Sequence, residues 1–459
     1  MDHAVTTFLR NRGKILLVRR SSSVDAYPNR WSALADYIVA EPDDPLSAAE
    51  RHLRGSVDID GRDLEGMDLE GIDLDGMDLV RSGAPITVPE GDSTWLVHPF
   101  LFDVDDRQLH ADETVASAEW VHPTAMRDRE TVPMLWETYR RVAPTVETIR
   151  TDEVHGASWL SIRALEVLRD GAVTADGWEQ IASLAGELVD ARPGMVAIGN
   201  RVNRVMAAVV DGDRSPEAVH DRAIEAIDRA VEADDTASRS AADLLEPGGR
   251  FRPRGGPIFT LSRSETVVAA LRELHSRGDP TEASAASATS TTGLRILVGE
   301  SRPDREGVGV AERLADSGIE VTLAADSALP WLIEQGNAGA VLVGADTIDP
   351  TGGVYNKVGT YGLALAADRA GVPLVVVASS AKIAPIAGFE QERSDPAAVY
   401  GGGAGIDVAT PRFDRTPPGL VSAIVTEHGT LSTEAVRSFA ADHRAEAAWP
   451  RRSFAAGDG

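Results

Sequence analysis

The chain has 459 residues, which is more than a single hydrophobic core usually supports, so we expect two or three domains. Its 72 acidic residues outnumber the 45 basic ones and give a formal net charge of −27. This balance excludes a generally cationic surface of the kind that neutralises nucleic-acid phosphates. The chain has no cysteine, which excludes disulfides, thiolate metal sites and a cysteine nucleophile.

The basic residues are nearly all arginine, because lysine occurs only at Lys14, Lys357 and Lys382. Acidic residues are spread along the whole chain, a composition that resembles the proteins of halophilic microbes, in which acidity is an adaptation to concentrated salt. The beginning of the chain has no uninterrupted apolar segment of the signal-peptide type, and no window approaches about 18 consecutive apolar residues. We therefore expect a cytoplasmic protein that does not contact a membrane.

The first 130 residues alternate short apolar runs with turns, a pattern typical of a mixed sheet. The clearest runs are residues 14–18, 95–102 and 118–121. One early helix is predicted near residues 45–54. The order of these elements, with Arg30, Trp31 and Ser32 before the helix, resembles that of Nudix hydrolases. The sequence therefore predicts a Nudix-like domain over residues 1–130.

The catalytic motif of this Nudix-like segment is strongly altered. When the arginine of the Nudix signature is placed on Arg51, its other positions are occupied by Tyr37, Asp43, His52, Gly55, Ser56 and Asp58. Nudix chemistry needs carboxylates that hold Mg²⁺ against a diphosphate, and neither Gly55 nor Ser56 supplies one. The resemblance therefore implies a non-catalytic binding or dimerising module. The alternative is a residual hydrolase that collects a cation on Asp43, Asp58 and Asp60.

Three segments are predicted to lie outside the packed domains. Residues 63–79 repeat DLEGM, DLEGI and DLDGM with a period of five, which favours an acidic surface loop over the start of a solenoid coil. Residues 278–293 are rich in Ala, Ser and Thr and are predicted to form a flexible loop. Residues 446–459 are predicted to form a tail that is poorly ordered after about Trp449.

The rest of the chain is predicted to be helical first and then α/β. In residues 131–245 apolar residues recur at spacings of three and four, which indicates a helical bundle domain. In residues 246–445 short β-branched runs alternate with helical stretches, which predicts a doubly wound parallel sheet of the Rossmann type. The runs are residues 257–261, 295–298, 321–323, 340–343 and 374–377. The predicted fold class is α/β.

Polar residues follow these runs at their carboxyl ends, where ligands bind in open parallel sheets. They are Ser262, Arg263, Glu300, Ser301, Arg302, Gly344, Ala345, Asp346, Ser379, Ser380 and Lys382. Each has an ordinary explanation, because strand ends meet polar loops and helix caps favour Ser and Asp. Their convergence on one edge favours a small-molecule site, and Arg302 and Lys357 suit a phosphate.

Five motifs in this half of the chain follow one another in a characteristic order. They are VGESRP at 298–303, DSA at 326–328, VGADTI at 343–348, NKVGT at 356–360 and the segment 413–418. With them the chain resembles the α/β/δ subunit family of initiation factor 2B. That superfamily also contains methylthioribose-1-phosphate isomerase and ribose-1,5-bisphosphate isomerase. The resemblance spans roughly residues 145–440 and includes Arg150 and the segment His155, Gly156 and Ala157.

The same resemblance separates two functions. The isomerases of the superfamily use a cysteine and an aspartate, and the corresponding residues here are Ser262 and Asp346. The arginine of their Arg-Gly-Ala phosphate motif corresponds to His155. A serine hydroxyl is a far weaker acid than a thiol and does not readily replace it without an adjacent base. We therefore predict a regulatory or ligand-sensing protein, with an aldose–ketose isomerase of pentose phosphates as the alternative.

The predicted ligand site gathers residues from all of these motifs. They are Arg150, His155, Gly156, Ala157, Ser262, Arg263, Arg302, Asp346, Asn356 and Lys357. In the isomerase alternative Asp346 is the acid or base, and Arg302, Asn356 and Lys357 anchor the substrate. The expected ligand is a phosphorylated small molecule, either a sugar phosphate or a nucleotide, and no cofactor or metal is implied. The resemblance also implies a homodimer through the Rossmann-like domain, and by resemblance alone it suggests a translation factor as a partner.

Overall fold

The computed structural model describes residues 2–38, 44–56, 77–90, 93–104, 114–246, 248–251, 256–278, 293–403 and 405–450. Contacts divide the chain into two units, Met1–Thr145 and Val146–Gly459. Within the described residues, no helix combines the length and the apolar character that crossing a membrane requires. The predicted loop 278–293 falls outside the described residues except at its ends.

The first unit is built on an eight-stranded mixed sheet. Its strands are β1 (Asp2–Asn11), β2 (Lys14–Arg20), β3 (Trp31–Ser32), β4 (Leu34–Tyr37), β5 (Met77–Ser82), β6 (Ile86–Glu90), β7 (Ser93–Val104) and β8 (Val115–Val121). Its helices are α1 (Pro45–Ser56) and α2 (Leu135–Arg140). The central strands β1 and β7 pair in parallel, and the other strand pairs are antiparallel.

The central strands of this sheet are buried on both faces, which explains their continuous apolar runs. Along β2, Leu16 and Val18 contribute to one core, whereas Ile15 and Leu17 contribute to the core on the opposite face. This alternation follows from the two-residue repeat of a strand. The sheet is therefore covered on both sides, as the mixed α/β prediction requires.

The end of the first unit differs from the predicted boundary at residue 130. Helix α2 belongs to this unit because Tyr139 is buried against Phe8, with the ring centroids 5.5 Å apart.

Most of the predicted repeat loop 63–79 lies outside the described residues, but its last part does not form a loop. Met77 begins strand β5, pairs with Val104 and is only 7% exposed. The loop prediction is wrong there because Met77 fills the core between the sheet and α1.

The second unit combines ten helices in its described part with two sheets. The helices are α3 (Val146–Thr151), α4 (Ala157–Ala172), α5 (Trp178–Val189), α6 (Val196–Val209), α7 (Pro216–Leu245), α8 (Glu265–Ser276), α9 (Glu306–Asp316), α10 (Leu329–Leu332), α11 (Thr360–Ala370) and α12 (Thr433–Glu446). The strands are β9 (Ile258–Thr260), β10 (Arg295–Gly299), β11 (Glu320–Ala324), β12 (Ala340–Val343), β13 (Thr347–Ile348), β14 (Val354–Lys357), β15 (Leu374–Val377), β16 (Phe413–Thr416), β17 (Ala423–Thr426) and β18 (Gly429–Thr430).

Helix α7 joins the helical region to the α/β region. It begins at a Ser215 cap that accepts a hydrogen bond from the Ala218 amide, and it continues for 30 residues. Val219 and Ile227, near its start, lie in the core of the helical region. Ala241, near its end, packs into the core of the larger sheet. Because one helix belongs to both cores, the two regions form a single unit and do not separate at residue 245 as the domain prediction had it.

The larger sheet has the strand order β11-β10-β9-β12-β15-β17-β18. All its neighbouring strands are parallel except the short edge strand β18. From β9 the chain adds β10 and then β11 toward one edge of the sheet. It then returns to the other side of β9 and adds β12, β15 and β17 toward the opposite edge. The switch point between β9 and β12 is the place where ligands bind in doubly wound sheets. The predicted doubly wound fold is confirmed. A smaller antiparallel sheet has the strand order β13-β14-β16, and its strands come after β12 and before β17 in the sequence.

The predicted tail from residue 446 starts too early. Trp449 is only 3% exposed, and its indole N–H donates to Asn203 Oδ1 at 2.9 Å. Its ring also meets Trp178 edge to face. These contacts hold residues 447–450 on the helical region because a large aromatic side chain with a satisfied N–H is stable in a core.

Candidate functional site

A cavity of about 180 Å³ lies at the carboxyl edge of the larger sheet, next to the switch point. Its walls come from the ends of β9, β12 and β14 and from the segments before α4, α9 and β16. The lining residues are Glu153, Val154, His155, Gly156, Met195, Ser262, Arg263, Asp304, Glu306, Asp346, Lys357, Arg412 and Phe413. We call it the switch-point cavity. A smaller recess shares four of these residues and adds Ala157, Asn356 and Lys382.

Ser262 has a constrained backbone directly after β9. Its φ of 74° lies in the left-handed region, which costs a residue other than glycine about 1–3 kcal/mol unless its surroundings hold it there. The Ser262 amide donates to Ser301 Oγ at 2.7 Å, and the Ser262 hydroxyl donates to Glu306 Oε1 at 3.2 Å. The hydroxyl is thus fixed beside a carboxylate.

Glu306 reaches this position because helix α9 begins unusually close to strand β10. A Cβ on Gly307 would lie 1.8 Å from the carbonyl oxygen of Gly299, so only glycine permits this approach. The other carboxylate oxygen of Glu306, Oε2, is buried and has no hydrogen-bond partner within the described residues. An unsatisfied buried acceptor is costly, so it is well suited to a ligand hydroxyl.

Lys357 neutralises two carboxylates in the cavity wall. Its Nζ lies 2.8 Å from Glu306 Oε1 and 3.0 Å from Asp304 Oδ2. Burial opposes ionisation of Asp304, but the hydrogen bond and the charge of Lys357 hold the pKa of this carboxyl below its usual value. Arg412 lies 3.5 Å from the same Asp304 oxygen. The cavity therefore contains interleaved charges of both signs.

Asp346 and Lys382 both line the smaller recess, where Lys382 is buried and Asp346 is half-buried. Burial raises the pKa of Asp346, although the positive charges of Lys382 and Lys357 oppose the shift. Burial likewise lowers the pKa of Lys382, against the charge of Asp346. Both groups are thus displaced toward their neutral forms. A carboxyl that keeps its proton nearer neutral pH is suited to general acid catalysis.

Two further side chains complete the rim. His155 Nδ1 donates a hydrogen bond to Asp152 Oδ2 at 2.7 Å, and its ring is stacked on Trp159 with centroids 3.7 Å apart. The imidazole is therefore held in one orientation. Arg263 lines both the cavity and the recess, and its buried Nε makes no hydrogen bond in the described part of the chain. A phosphate or hydroxyl oxygen would satisfy that donor.

The structure brings most of the predicted site together. His155, Gly156, Ser262, Arg263, Asp346 and Lys357 line the switch-point cavity, and Ala157 and Asn356 line the recess. Two predicted residues lie elsewhere. Arg150 is exposed on α3 and pairs with Glu147 at 2.6 Å. The Arg302 guanidinium donates to the Ala398 carbonyl oxygen at 2.5 Å and lines neither space.

Sequence reasoning missed Asp304, Glu306 and Arg412. Glu306 lies four residues beyond Arg302, at the first position of the next helix. Arg412 directly precedes Phe413, where the last family motif begins. Both residues thus lie next to a motif that the sequence analysis used. Neither was considered, because neither stands at the end of a strand of the larger sheet. Among the described residues, no three His, Asp or Glu side chains are arranged to hold a metal ion.

The fold and this site define a class: a doubly wound α/β protein that has a charged small-molecule cavity at its switch point. The model of the Initiation factor 2 subunit family matches residues 153–433, and the chain belongs to this family. The predicted family resemblance is thereby confirmed for this part of the chain.

Two relatives named as isomerases are similar to a large part of this chain. A ribose 1,5-bisphosphate isomerase of Archaeoglobus fulgidus is 30% identical over 303 residues, which cover 64% of this chain and 90% of that protein. A probable bifunctional methylthioribose-1-phosphate isomerase/methylthioribulose-1-phosphate dehydratase of Nocardia farcinica is 32% identical over 309 residues. This chain spans 53% of the length of that relative.

Solved structures agree on the fold. Translation initiation factor eIF-2B of Pyrococcus horikoshii OT3 superimposes with a TM-score of 0.52 at 26% identity. The match covers 62% of this chain and 94% of that one. The chain is thus similar both to proteins named as isomerases and to a protein named as a translation initiation factor.

Proposed function

We propose that the second unit binds a phosphorylated pentose in the switch-point cavity and isomerises it from aldose to ketose. The relatives named as pentose-phosphate isomerases favour this alternative over the regulatory function that we predicted from the sequence. The observation that carries the proposal is that Asp346 and the hydrogen-bonded pair Ser262–Glu306 line the same cavity. Substrates of the class are ribose 1,5-bisphosphate and methylthioribose 1-phosphate.

Isomerisation of an aldose 1-phosphate needs one proton donor and one proton acceptor. The bond between C1 and the ring oxygen breaks, the ring oxygen gains a proton, the hydrogen on C2 moves to C1, and the C2 hydroxyl loses its proton to leave a ketone. A protonated Asp346 is suited to the donor role, because burial raises its pKa. Lys357 and Arg263 supply positive charge for the phosphate.

The acceptor role falls to Glu306. Sequence reasoning held that a serine cannot replace the thiol of the isomerases without an adjacent base, and Glu306 is a base in hydrogen-bond contact with Ser262. Its second oxygen has no partner among the described residues, so it is available to a substrate hydroxyl. This carboxylate supports turnover in a chain that has no cysteine.

The proposal is tested by following both candidate substrates with the full chain by ³¹P NMR, with Asp346→Asn as the matched inactive variant. We expect ketose formation by the unmodified protein and none by the variant, while calorimetry shows that both still bind substrate. Absence of binding as well as turnover with both pentose phosphates would refute the proposal.

A second candidate function is a sugar-phosphate sensor without turnover. The serine at position 262, where the resemblance implies a cysteine, specifically favours it. Binding of a pentose phosphate without ketose formation would support this function. Ser262→Cys then restores the thiol, and activity gained by this variant would identify the chain as an isomerase that has lost its activity.

For the first unit we propose binding or dimerisation without Nudix hydrolysis. In the altered motif His52 occupies a glutamate position and lies 3.6 Å from Asp36. Asp43, Asp58 and Asp60, which the hydrolase alternative requires, lie outside the described residues. The full chain should release no phosphate from nucleoside diphosphate derivatives with Mg²⁺ or Mn²⁺, and turnover that disappears in Asp43→Ala or Asp58→Ala would contradict this.

A further inference from the structure

An aspartate and a histidine just before helix α4 form a hydrogen-bonded pair that has no part in the proposed isomerisation. His155 Nδ1 donates to Asp152 Oδ2 at 2.7 Å. We call this pair the Asp152–His155 dyad. A carboxylate that accepts from one nitrogen of an imidazole fixes the proton on that nitrogen, so the other nitrogen is left as a base.

The carboxylate of the dyad is held in place and ionised. Its second oxygen, Oδ1, accepts hydrogen bonds from the Val154 amide at 2.9 Å and from the His155 amide at 2.6 Å. Burial opposes ionisation of Asp152, but the hydrogen bonds from the imidazole and from the two amides hold its pKa below the usual value. An ionised Asp152 keeps the proton of His155 on Nδ1, so Nε2 presents a lone pair.

The imidazole ring is held by its neighbours as well. It lies on the Trp159 indole, with the ring centroids 3.7 Å apart and the ring planes at 9° to each other. The guanidinium carbon of Arg163 lies 5.0 Å from the centre of the same indole. The backbone of the dyad is tied too, because Arg192 donates to the Asp152 carbonyl oxygen at 2.6 Å. The dyad therefore has the fixed orientation that proton transfer requires.

The dyad reaches the place where the switch-point cavity and the smaller recess meet. Four residues line both spaces: His155, Gly156, Arg263 and Asp346. A Cβ on Gly156 would lie 3.7 Å from the Arg263 carbonyl oxygen, so the histidine segment runs beside the segment that follows β9. Within the described residues His155 Nε2 makes no hydrogen bond. This nitrogen is therefore available to a ligand at the junction, where Asp346 also lies.

The proposed isomerisation leaves one hydrogen without a carrier. Asp346 protonates the ring oxygen and Glu306 takes the proton of the C2 hydroxyl, but the hydrogen on C2 must also reach C1. Its transfer as a proton needs a base that accepts it from one carbon and returns it to the next, and a neutral imidazole does both. The family resemblance implies an arginine at position 155, and an arginine keeps its proton and is no base.

We propose that His155 is the base that carries the C2 hydrogen to C1 and that Asp152 is its positioning residue, an inference that rests on the proposed isomerase function. Opening of the ring leaves C1 electron-poor. Nε2 then takes the C2 hydrogen as a proton, and the electron pair of that C–H bond forms a double bond between C1 and C2. Nε2 returns the proton to C1 as Glu306 takes the hydroxyl proton and the C2 carbonyl forms. His155 begins and ends neutral, and Asp152 stabilises its charge in between.

The test replaces each member of the dyad in the full chain. His155→Arg keeps a cation for a substrate phosphate but supplies no base. We expect this variant to bind pentose phosphates in calorimetry and to form ketose about 10²–10⁴-fold more slowly in ³¹P NMR, the usual contribution of a general base. His155→Gln should lose turnover to the same extent.

Asp152→Asn should also slow turnover without weakening binding, because the amide no longer fixes the proton of the imidazole on Nδ1. His220→Arg is the matched control. His220 also pairs with an aspartate, Asp221 at 3.0 Å, but it lines neither the cavity nor the recess. We expect this variant to form ketose at the rate of the unmodified protein.

A second measurement follows the hydrogen itself. In D₂O the unmodified protein should place deuterium on C1 of the ketose, as measured by ¹H NMR, because the imidazole is 26% exposed and its proton exchanges with solvent. The inference is overturned if C1 gains no deuterium or if both His155 variants form ketose at the unmodified rate. The latter result leaves the proposed function standing and removes only the dyad. If the unmodified protein binds the sugar and forms no ketose, the proposed function fails and this inference fails with it.

Discussion

Two cavities of the second unit are built by different rules. The switch-point cavity takes its polar residues from strand ends and from the loops beside them, so that acids and bases meet within hydrogen-bond distance. A larger cavity of about 510 Å³, the arginine cavity, takes its cations from the sides of two long helices, over a wall of alanines. They are Arg201 and Arg204 of α6 and Arg222 and Arg229 of α7. The first arrangement shifts the pKa of Asp346 and suits proton transfer. The cations of the second are arginines, which keep their charge at all ordinary pH values and suit binding.

The largest expected effect separates chemistry from binding. Asp346→Asn removes the proton donor and keeps the shape of the side chain. We expect it to slow ketose formation from a pentose phosphate by about 10²–10⁴-fold, the usual contribution of a general acid. The variant should still bind the pentose phosphate. Normal turnover in this variant, measured by ³¹P NMR, would remove Asp346 from the chemistry.

The next effect concerns the phosphate ligand of the switch-point cavity. Arg263→Ala should weaken pentose phosphate binding by about 1.5–3 kcal/mol, since it removes a hydrogen bond to a charged group. Arg302→Ala is the matched comparison, because its guanidinium already donates to the Ala398 carbonyl and lines neither part of the cavity. We expect a change within about 0.5 kcal/mol for this exposed arginine. Equal losses by calorimetry would show that the ligand reaches the loop of Ala398.

A third prediction tests whether the switch-point cavity depends on one close backbone contact. Gly307→Ala would place a Cβ 1.8 Å from the Gly299 carbonyl oxygen, so helix α9 must shift. We expect the free energy of unfolding to fall by about 1–3 kcal/mol and pentose phosphate binding to weaken with it.

Gly309→Ala is the control on the same helix, because nothing lies within 4 Å of its added Cβ. It should raise the stability by up to about 1 kcal/mol through helix propensity. Denaturant titration of the two variants measures the difference. Equal behaviour would mean that the contact between α9 and β10 does not constrain the site.

The smallest effect is a pH dependence of the proposed isomerase reaction. Because Asp346 acts in its protonated form and burial raises its pKa, kcat should fall as the pH rises through that value. An isomerase rate that rises with pH through the same value would indicate that Asp346 acts as a base.

The sequence by itself predicted the doubly wound sheet and the part of the site that stands at strand ends. Ser262 and Asp346 could be placed together because carboxyl ends of parallel strands meet at one edge, whatever the loops do. Predictions that depended on packing failed. Trp449 looked like part of a tail because its partners, Trp178 and Asn203, lie far away in the chain.

Only the tertiary structure decided which charges meet. The sequence predicted Arg302 as a phosphate ligand and gave no signal for Arg412, yet Arg412 lines the switch-point cavity and Arg302 does not. The direction of each arginine side chain depends on the path of its loop, and no local periodicity of the sequence predicts that path. Arg204, Arg222 and Arg229 likewise stand at solvent-exposed positions of α6 and α7, whereas Arg201 is buried. These arginines surround one cavity because the alanines between them leave a space, and that space exists only once the two helices have packed.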